Sequence, residues 1–120
     1  KHAVEGLAET LDHEVRQFGI RVSLVEPSFT NTNLDLNAPQ TVARIDDYSK
    51  ELEIVSQAIQ GNVQKAPLPE GVADTIVKAA LGTWKMRHTP KGEASLLAKL
   101  RRFMPAGPVS KGLRKSFGLA

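Results

Sequence analysis

The first eighteen residues place apolar side chains at intervals of three and four. This spacing is that of one face of an amphipathic α-helix. Gly19 follows at the position where a residue with positive φ commonly closes a helix. The pattern therefore predicts a helix over residues 1–18, with an apolar stripe formed by Val4, Leu7, Leu11, Val15 and Phe18.

Charged and polar side chains occupy the other faces of this predicted helix. They are Glu5, Glu9, Asp12, His13 and Arg16. We expect these side chains to be solvated or to lie at a subunit contact. His2 and His13 have no neighbouring pattern of metal ligands, so we expect no metal site.

A short extended segment follows the helix. Over residues 20–26 apolar side chains alternate with polar ones and then run together at Leu24 and Val25. That pattern is typical of a strand that is covered on both faces, and Pro27 ends it. A helix that passes into a strand through one glycine indicates an α/β fold.

Helical spacing returns over residues 42–63, with an irregular middle near Tyr48. Either one helix or two short helices fit this pattern. Residues 61–68 are expected to form a loop. A further helix is predicted over residues 69–81, because Pro69 suits a first helical turn and Glu70 lies near the positive end of the helix.

The C-terminal segment, residues 84–120, carries three shorter patterns. Residues 84–89 are predicted to form a short strand in which His88 has a structural role. Residues 93–104 have amphipathic helical spacing, which Pro105, Gly107 and Pro108 are expected to break. The pattern beyond these residues fits either a short helix or a docking tail.

Composition narrows the class of protein without naming a function. The 120 residues suit one domain, and 41% hydrophobic with 24% charged residues argue against disorder. The absence of cysteine excludes disulfides and thiolate metal sites and fits a reducing compartment. No apolar run approaches the ~20 residues that a membrane-spanning helix needs.

The net charge of +3 is unevenly distributed. No acidic residue occurs from Ala94 to the C-terminus. Such a segment could bind nucleic acid or an anionic membrane, or could be a solvated helix face. We favour the solvated face, and expect neither a nucleic-acid partner nor membrane association. The basic residues are Lys99, Arg101, Arg102, Lys111, Arg114 and Lys115.

Two runs in the opening segment resemble a known family. They read KHAVEGLAETL and GIRVSLVEPS, and they are similar to the second half of a short-chain dehydrogenase/reductase. In that family a Tyr-x-x-x-Lys pair opens a long helix, and the next strand ends in a Pro-Gly loop with a threonine a few residues on. Lys1, Pro27 and Thr32 match these positions, whereas Ser28 replaces the glycine. Residues 68–73 resemble the start of the family's next helix.

The resemblance implies an α/β fold, namely the C-terminal portion of a doubly wound Rossmann-like parallel sheet, helix-rich and incomplete. Residues 1–120 would form the C-terminal half of one domain. The catalytic tyrosine would lie four residues before Lys1, since Tyr48 is too distant in sequence for that role. The N-terminal nucleotide-binding half, with its Gly-x-Gly-x-x-Gly turn, would also lie outside this sequence. We therefore expect a fragment of a longer enzyme.

The resemblance also implies an oxidoreductase that transfers a hydride between NAD or NADP and a carbonyl or alcohol. Lys1 would be catalytic, by easing ionisation of the tyrosine, and would bind the nicotinamide ribose. A cofactor loop, residues 27–32, would face the nicotinamide carboxamide. Hydroxyl and backbone groups supply the donors and acceptors that a carboxamide needs, although the same residues also favour an ordinary turn. The loop residues concerned are Pro27, Ser28, Phe29, Thr30 and Thr32.

Residues 33–64 would form a substrate flap. Leu34, Leu36, Tyr48 and Leu52 would then contact a hydrophobic substrate, although core packing explains the apolar ones equally well. We expect a cytoplasmic homodimer or homotetramer that assembles through the first helix, and no activity in the isolated chain. The alternative is a non-catalytic interaction module that dimerises through the first helix and binds an anionic partner through the basic tail.

Overall fold

The computed structural model describes residues 1–34, 37–38 and 45–119. These residues divide between two compact units, the first made of Lys1–Ser28 and Glu70–Leu96, the second of the described residues within Phe29–Pro69 and Leu97–Ala120. The elements occur in the order α1 His2–Val15, a 3-10 turn Arg16–Phe18, β1 Leu24–Val25, a 3-10 turn Asp46–Tyr48, α2 Ser49–Lys65, α3 Glu70–Leu81, β2 Arg87–His88, α4 Glu93–Phe103 and α5 Ala106–Ser116.

In the first unit, α1 is followed directly by the turn Arg16–Phe18. Gly19 closes this turn with a φ of 73°, in the left-handed region that glycine adopts without steric cost. The apolar stripe of α1 faces solvent, since the exposed fractions of Leu7 and Phe18 are 68% and 71%. The buried side chain of this helix is instead a charged one, Asp12.

The two strands of the first unit pair in parallel. Leu24 lies opposite Arg87, and Val25 lies opposite His88. At the carboxyl end of β1, the main-chain N–H of Glu26 donates to the carbonyl of His88 over 2.9 Å. The paired stretch of β1 is shorter than the predicted strand 20–26, because β2 offers only two residues to pair with.

Side-chain hydrogen bonds continue the connection before the ladder begins. Ser23 Oγ donates to the carbonyl of Lys85 over 2.9 Å. Trp84 Nε1 donates to the carbonyl of Val22 over 2.9 Å. The segments 22–26 and 84–88 are therefore held together along five residues each, although the ladder itself has only two pairs.

Helix α3 lies against β1 and precedes β2. A helical connection of this kind is what parallel pairing requires. Gly82 follows α3, and its N–H donates to the carbonyl of Lys78. A Cβ at this position would lie only 2.6 Å from that oxygen, so the close approach favours glycine. The first unit is a helix-rich α/β arrangement around a two-stranded parallel sheet, which confirms the predicted α/β class.

In the second unit, α2 continues through Gly61 to Lys65. The loop predicted over residues 61–68 therefore begins later than expected. The helix continues because Val63 belongs to the same half-buried face as Ile59, and an end at Gly61 would expose that face.

Helix α5 begins at Ala106, directly after Pro105, and includes Pro108. Helix α4 ends at Phe103, as the predicted break at Pro105, Gly107 and Pro108 requires, but the next helix starts at Ala106 and not after Pro108. Pro108 is the third residue of the helix, where a main-chain N–H has no helical acceptor, so the missing donor costs nothing there.

The C-terminal end of the chain packs inside the second unit. The Phe117 ring meets the Phe29 ring edge to face, with 6.4 Å between the centroids. Gly118 has a φ of 71°, and a Cβ at that position would lie 2.9 Å from Cγ2 of Ile54. Residues 117–118 therefore pack closely against Phe29 and α2.

Little apolar surface is removed from solvent among the described residues. Ala94 in α4 is their one buried apolar residue, at 7% exposure. The larger side chains of the same helix face outward, with Leu96 57% and Phe103 77% exposed. Within the described ranges no helix has both the length and the apolar character needed to cross a bilayer.

Candidate functional site

Lys1, the predicted catalytic lysine, lies at the N-terminal end of α1 and is exposed. Its carbonyl accepts hydrogen bonds from the N–H groups of Val4 (2.9 Å) and Glu5 (3.2 Å). These bonds make Lys1 the residue that starts the helix. Its side chain therefore extends from the first turn of α1, one turn before Glu5.

Pro27 and Ser28 follow the carboxyl end of β1 in the same compact unit as Lys1. Pro27 is exposed and Ser28 is half-buried. The hydrogen bond between Glu26 and His88 fixes the main chain directly before them. The predicted cofactor loop therefore begins directly after a residue, Glu26, whose main chain is hydrogen-bonded to β2.

The remaining predicted cofactor residues belong to the second unit. Phe29 and Thr30 are half-buried there, and Phe29 packs on Phe117. Thr32 is exposed, and its Oγ1 accepts a hydrogen bond from the N–H of Leu34 over 3.4 Å. The assignment of residues 27–32 as a cofactor loop stays a prediction.

Three of the four predicted flap residues are described, and all three are open to solvent. The exposed fractions are 74% for Leu34, 65% for Tyr48 and 47% for Leu52. Leu36 lies outside the described residues. Core packing within the second unit therefore does not account for these three side chains.

The most completely enclosed group of the first unit is Asp12, whose side chain has no exposed surface. Arg21 donates to it through two nitrogens, Nε (3.0 Å) and Nη2 (3.1 Å). Arg16 donates through Nη2 over 2.6 Å, and the main-chain N–H of Val22 donates over 2.9 Å. The expectation that Asp12 is solvated or at a subunit contact was wrong, because the turn after α1 brings these donors onto it.

The charges around Asp12 stabilise its ionised form. Hydrogen bonds from Arg21, then Arg16, then the Val22 N–H hold the pKa of the Asp12 carboxyl well below its usual range. The Arg21 guanidinium also stacks on the ring of Trp84, with its central carbon 3.4 Å from the centroid. One carboxylate therefore joins α1 to the start of β1 and, through Arg21, to the segment before β2.

A second charge cluster surrounds Arg87, the first residue of β2. Its guanidinium donates to Glu9 Oε1 over 2.6 Å and to Glu5 Oε2 over 3.2 Å. It also donates to Glu26. Glu5 and Glu9 lie on α1, whereas Glu26 follows β1, so this one side chain of β2 contacts both α1 and the residue after β1. We call these four residues the Arg87 cluster.

The charges of the Arg87 cluster support one another. The carboxylates, Glu9 first, raise the pKa of Arg87 above its usual value. The hydrogen bond from Arg87 is the main cause that lowers the pKa of Glu5, with a contribution from His2. Three carboxylates against one guanidinium nevertheless leave the cluster with an excess of negative charge.

The sequence analysis predicted neither cluster, although part of each has a recognisable helical spacing. Asp12 and Arg16 are four residues apart on one helix, a spacing at which opposite charges meet. Glu5 and Glu9 have the same spacing and could therefore share one cation. Neither pattern indicates that Arg21, from the segment before β1, or Arg87, from β2, would reach α1.

No group of three or more metal-binding side chains occurs among the described residues. The clusters above consist of carboxylates already paired with guanidinium groups.

Comparison with known proteins gives two negative findings and three relatives. No protein-family model matches the chain, and no solved structure matches it significantly. The chain is 27% identical over 95 residues to each of two uncharacterised oxidoreductases of Schizosaccharomyces pombe, which covers 78% of this chain and 39% of each relative. It is 29% identical over 108 residues to a probable short-chain type dehydrogenase/reductase of Helicobacter pylori, which covers 88% of this chain and 40% of the relative.

The chain therefore spans about two fifths of the length of the curated relatives it matches. All three are named as oxidoreductases or as a dehydrogenase/reductase. The family resemblance is thereby confirmed: over most of its length this chain is similar to proteins named as oxidoreductases, one of them a probable short-chain type dehydrogenase/reductase.

Proposed function

We propose that this chain is the C-terminal part of an NAD(P)-dependent oxidoreductase with a doubly wound Rossmann-like sheet. The enzyme would transfer a hydride between the nicotinamide and a carbonyl or alcohol. We use "the complete protein" for this chain together with any segment that its gene encodes on either side. The names of the three relatives support the general oxidoreductase role.

One structural observation carries the proposal further. Pro27 and Ser28 directly follow the carboxyl end of a parallel strand whose unit also contains Lys1. In open parallel sheets, ligands bind in the crevice outside the carboxyl ends of the strands. The predicted cofactor residues thus begin where such a fold places its ligand.

The side chains present also fit a nicotinamide. A carboxamide needs both donors and acceptors, and a hydroxyl provides both. Thr32 Oγ1 accepts a bond from Leu34, a bond that does not use the hydroxyl proton, and this proton would be donated to a carboxamide oxygen. Lys1, exposed at the start of α1, offers an ammonium donor for a ribose hydroxyl. Lys1, Pro27, Ser28, Phe29, Thr30 and Thr32 would hold the cofactor.

The proposed task of Lys1 is electrostatic. A tyrosine four residues earlier would lie one helical turn away on the same face. The Lys1 ammonium would then lower the pKa of the phenol and keep it able to exchange a proton with the substrate oxygen near neutral pH. A bound nicotinamide dinucleotide supplies or accepts the hydride.

We further propose a hydrophobic substrate and a homodimer or homotetramer formed through α1, in the cytoplasm. Support for the substrate class comes from Leu34, Tyr48 and Leu52, which present apolar surface to solvent. Support for the assembly comes from the exposed stripe of α1, where Leu7 and Phe18 are more than two-thirds exposed. Such surface favours burial against another surface, either the remainder of the proposed sheet or a second copy of the chain.

The test is an assay of the complete protein. NADH and NADPH oxidation would be followed with a panel of apolar and polar carbonyls, for the wild type and for Lys1→Ala. We expect turnover with apolar carbonyls and a loss of about 10²–10⁴-fold in kcat for Lys1→Ala, because without the ammonium the tyrosine would lose most of its acid–base contribution. Lys1→Ala with wild-type kcat would overturn the role of Lys1.

The alternative, a non-catalytic interaction module, is favoured by the same exposed stripe and by the acid-free segment from Ala94 onward. It predicts a complete protein that self-associates but neither binds NAD(P)H nor turns over any carbonyl. Calorimetric titration with NADH and NADPH separates the two functions. We expect binding to the complete protein and none to the isolated 120 residues.

A further inference from the structure

Arg87 connects the two places where the proposed site begins. Through Glu5 and Glu9 it holds the first turns of α1, the end that carries Lys1. It also binds Glu26, the residue directly before Pro27. The same guanidinium therefore contacts the elements that position the proposed catalytic lysine and the start of the proposed cofactor loop.

The helix side of this contact is in register with Lys1. Lys1, Glu5 and Glu9 are spaced four residues apart, which places them near one another along one side of α1. The main chain repeats the connection, because the N–H of Glu5 donates to the carbonyl of Lys1 over 3.2 Å. A shift of Glu5 along or around the helix axis would therefore shift Lys1 with it.

The strand side of the contact is equally close to the loop. Glu26 is fixed through its N–H to the carbonyl of His88, the residue after Arg87. Its carboxylate is held by the Arg87 side chain. Main chain and side chain of Glu26 are thus both tied to β2, one residue before the loop leaves the sheet.

Arginine suits this task better than lysine would. A guanidinium is planar and presents several N–H donors in a fixed fork, so it can hold more than one carboxylate in a defined geometry. Here Nη1 reaches Glu5 and Glu26, and Nη2 reaches Glu9. Because the three carboxylates repel one another, their arrangement depends on this guanidinium, with His2 as a second partner of Glu5.

We infer that Arg87 is a positioning residue for the proposed reaction: it sets the Lys1 end of α1 relative to the start of the cofactor loop at Pro27. This inference rests on the proposed function. Arg87 itself contacts neither substrate nor cofactor in this role. Removing the Arg87 side chain leaves Lys1 and the loop residues chemically unchanged but shifts their relative positions. Reaction rates are sensitive to such shifts.

The test compares three variants of the complete protein. Arg87→Met removes the cation, and Arg87→Lys keeps the charge without the fork. Arg16→Met is the matched control, because Arg16 is similarly exposed (49% against 41% for Arg87) and pairs with α1 at its other end. Kinetics with NAD(P)H and the best carbonyl, and the thermal midpoint, are measured for each.

We expect Arg87→Met to lower kcat by about 10–100-fold, the loss typical of a misplaced catalytic group, with a smaller change in the KM for the carbonyl. Arg87→Lys should recover part of kcat. Arg16→Met should keep the wild-type kcat even if its thermal midpoint falls. If Arg87→Met does not fold, Glu26→Gln takes its place and should raise the KM for the cofactor.

A double-mutant cycle with Lys1→Ala completes the test. If Arg87 acts by placing Lys1, Arg87→Met should lower kcat much less in the Lys1→Ala background than in the wild type. Equal effects in both backgrounds, an unchanged kcat in Arg87→Met, or an equal loss in Arg16→Met would overturn the inference while leaving the proposed function standing. A wild type with no turnover would instead overturn the proposed function, and this inference with it.

Discussion

Two charge clusters tie α1 to the strand pair, and they are built in opposite ways. Near the C-terminal end of α1, one carboxylate, Asp12, accepts bonds from two guanidinium groups and a main-chain N–H and has no exposed surface. Near the N-terminal end, one guanidinium, Arg87, holds three carboxylates and keeps 41% of its side chain exposed. The first cluster has an excess of positive charge and the second an excess of negative charge.

This difference assigns the two clusters different tasks: the Asp12 cluster stabilises the fold, and the Arg87 cluster positions residues of the proposed site. A buried and fully paired charge is costly to disturb, because removing one partner leaves others uncompensated. Pairs that water reaches contribute less to stability and are screened by salt. The Asp12 cluster therefore fixes the turn from helix to strand, whereas the Arg87 cluster lies where Lys1 and Pro27 begin the proposed site.

The largest expected effect on stability comes from Asp12→Asn. The new amide has the same shape but brings N–H groups toward arginine donors and removes the charge that they neutralise. We expect the thermal midpoint of the complete protein, followed by circular dichroism, to fall on the order of 10 °C. Glu14→Gln, an exposed carboxylate on the same helix, is the control and should change it little. Equal midpoints for the two variants would contradict a special role for Asp12.

Acid should distinguish the wild type from Asp12→Asn. The pKa of folded Asp12 is well below its usual range, so its stabilisation is fully present above the unfolded value of about 3.9 and is lost as the pH falls toward the folded value. Urea unfolding between about pH 5 and pH 2 should therefore show a steeper loss of stability in the wild type than in Asp12→Asn. Parallel pH curves would show that Asp12 is not held ionised.

A smaller effect on stability is expected from Arg87→Met. Since the Arg87 cluster is open to solvent, the variant should lower the thermal midpoint by about 2–4 °C in dilute buffer. The difference should shrink in roughly 1 M NaCl, where the screening length is about 3 Å. Asp12→Asn should keep most of its effect in the same salt. A salt response that is equal in both variants would remove the distinction between the two clusters.

The smallest expected effect comes from Trp84→Phe, at the edge of the Asp12 cluster. Phenylalanine keeps an aromatic face for Arg21 but cannot donate to the carbonyl of Val22. We expect a loss of about 0.5–1.5 kcal/mol in the free energy of unfolding, the usual net value of one hydrogen bond. Urea titration measures it. Trp84→Ala should cost more, because it also removes the stacked ring.

The sequence predicted the local elements well, because helix period and turn chemistry are local. The spacing of Leu7 and Leu11 predicted α1, and Gly19 the end of the turn Arg16–Phe18 that follows it. The length of β1 was not predictable, because it depends on β2, which lies about sixty residues later. The start of α5 at Ala106 was not predicted, because a proline in a first helical turn and a proline beyond a helix end look alike in sequence.

The residues of the candidate site likewise divide into those that a local sequence pattern predicts and those that it does not. Lys1, Pro27 and Thr32 could be named from a contiguous resemblance. Asp12 and Arg87 could not, because their partners come from other elements and meet only after the chain folds. Spacing can show that Glu5 and Glu9 share one side of a helix, but it cannot show which cation they receive.

The most direct test of hydride transfer is to follow the hydride itself. The complete protein would be given NAD(P)H carrying deuterium at nicotinamide C4, on the face from which it transfers, together with the carbonyl that it reduces fastest. Mass spectrometry and NMR of the product alcohol would locate the label. We predict deuterium on the former carbonyl carbon, in the wild type and, at a much lower rate, in Lys1→Ala. Turnover that leaves the alcohol unlabelled, or no turnover with any carbonyl, would contradict the assignment of this chain to a hydride-transferring enzyme.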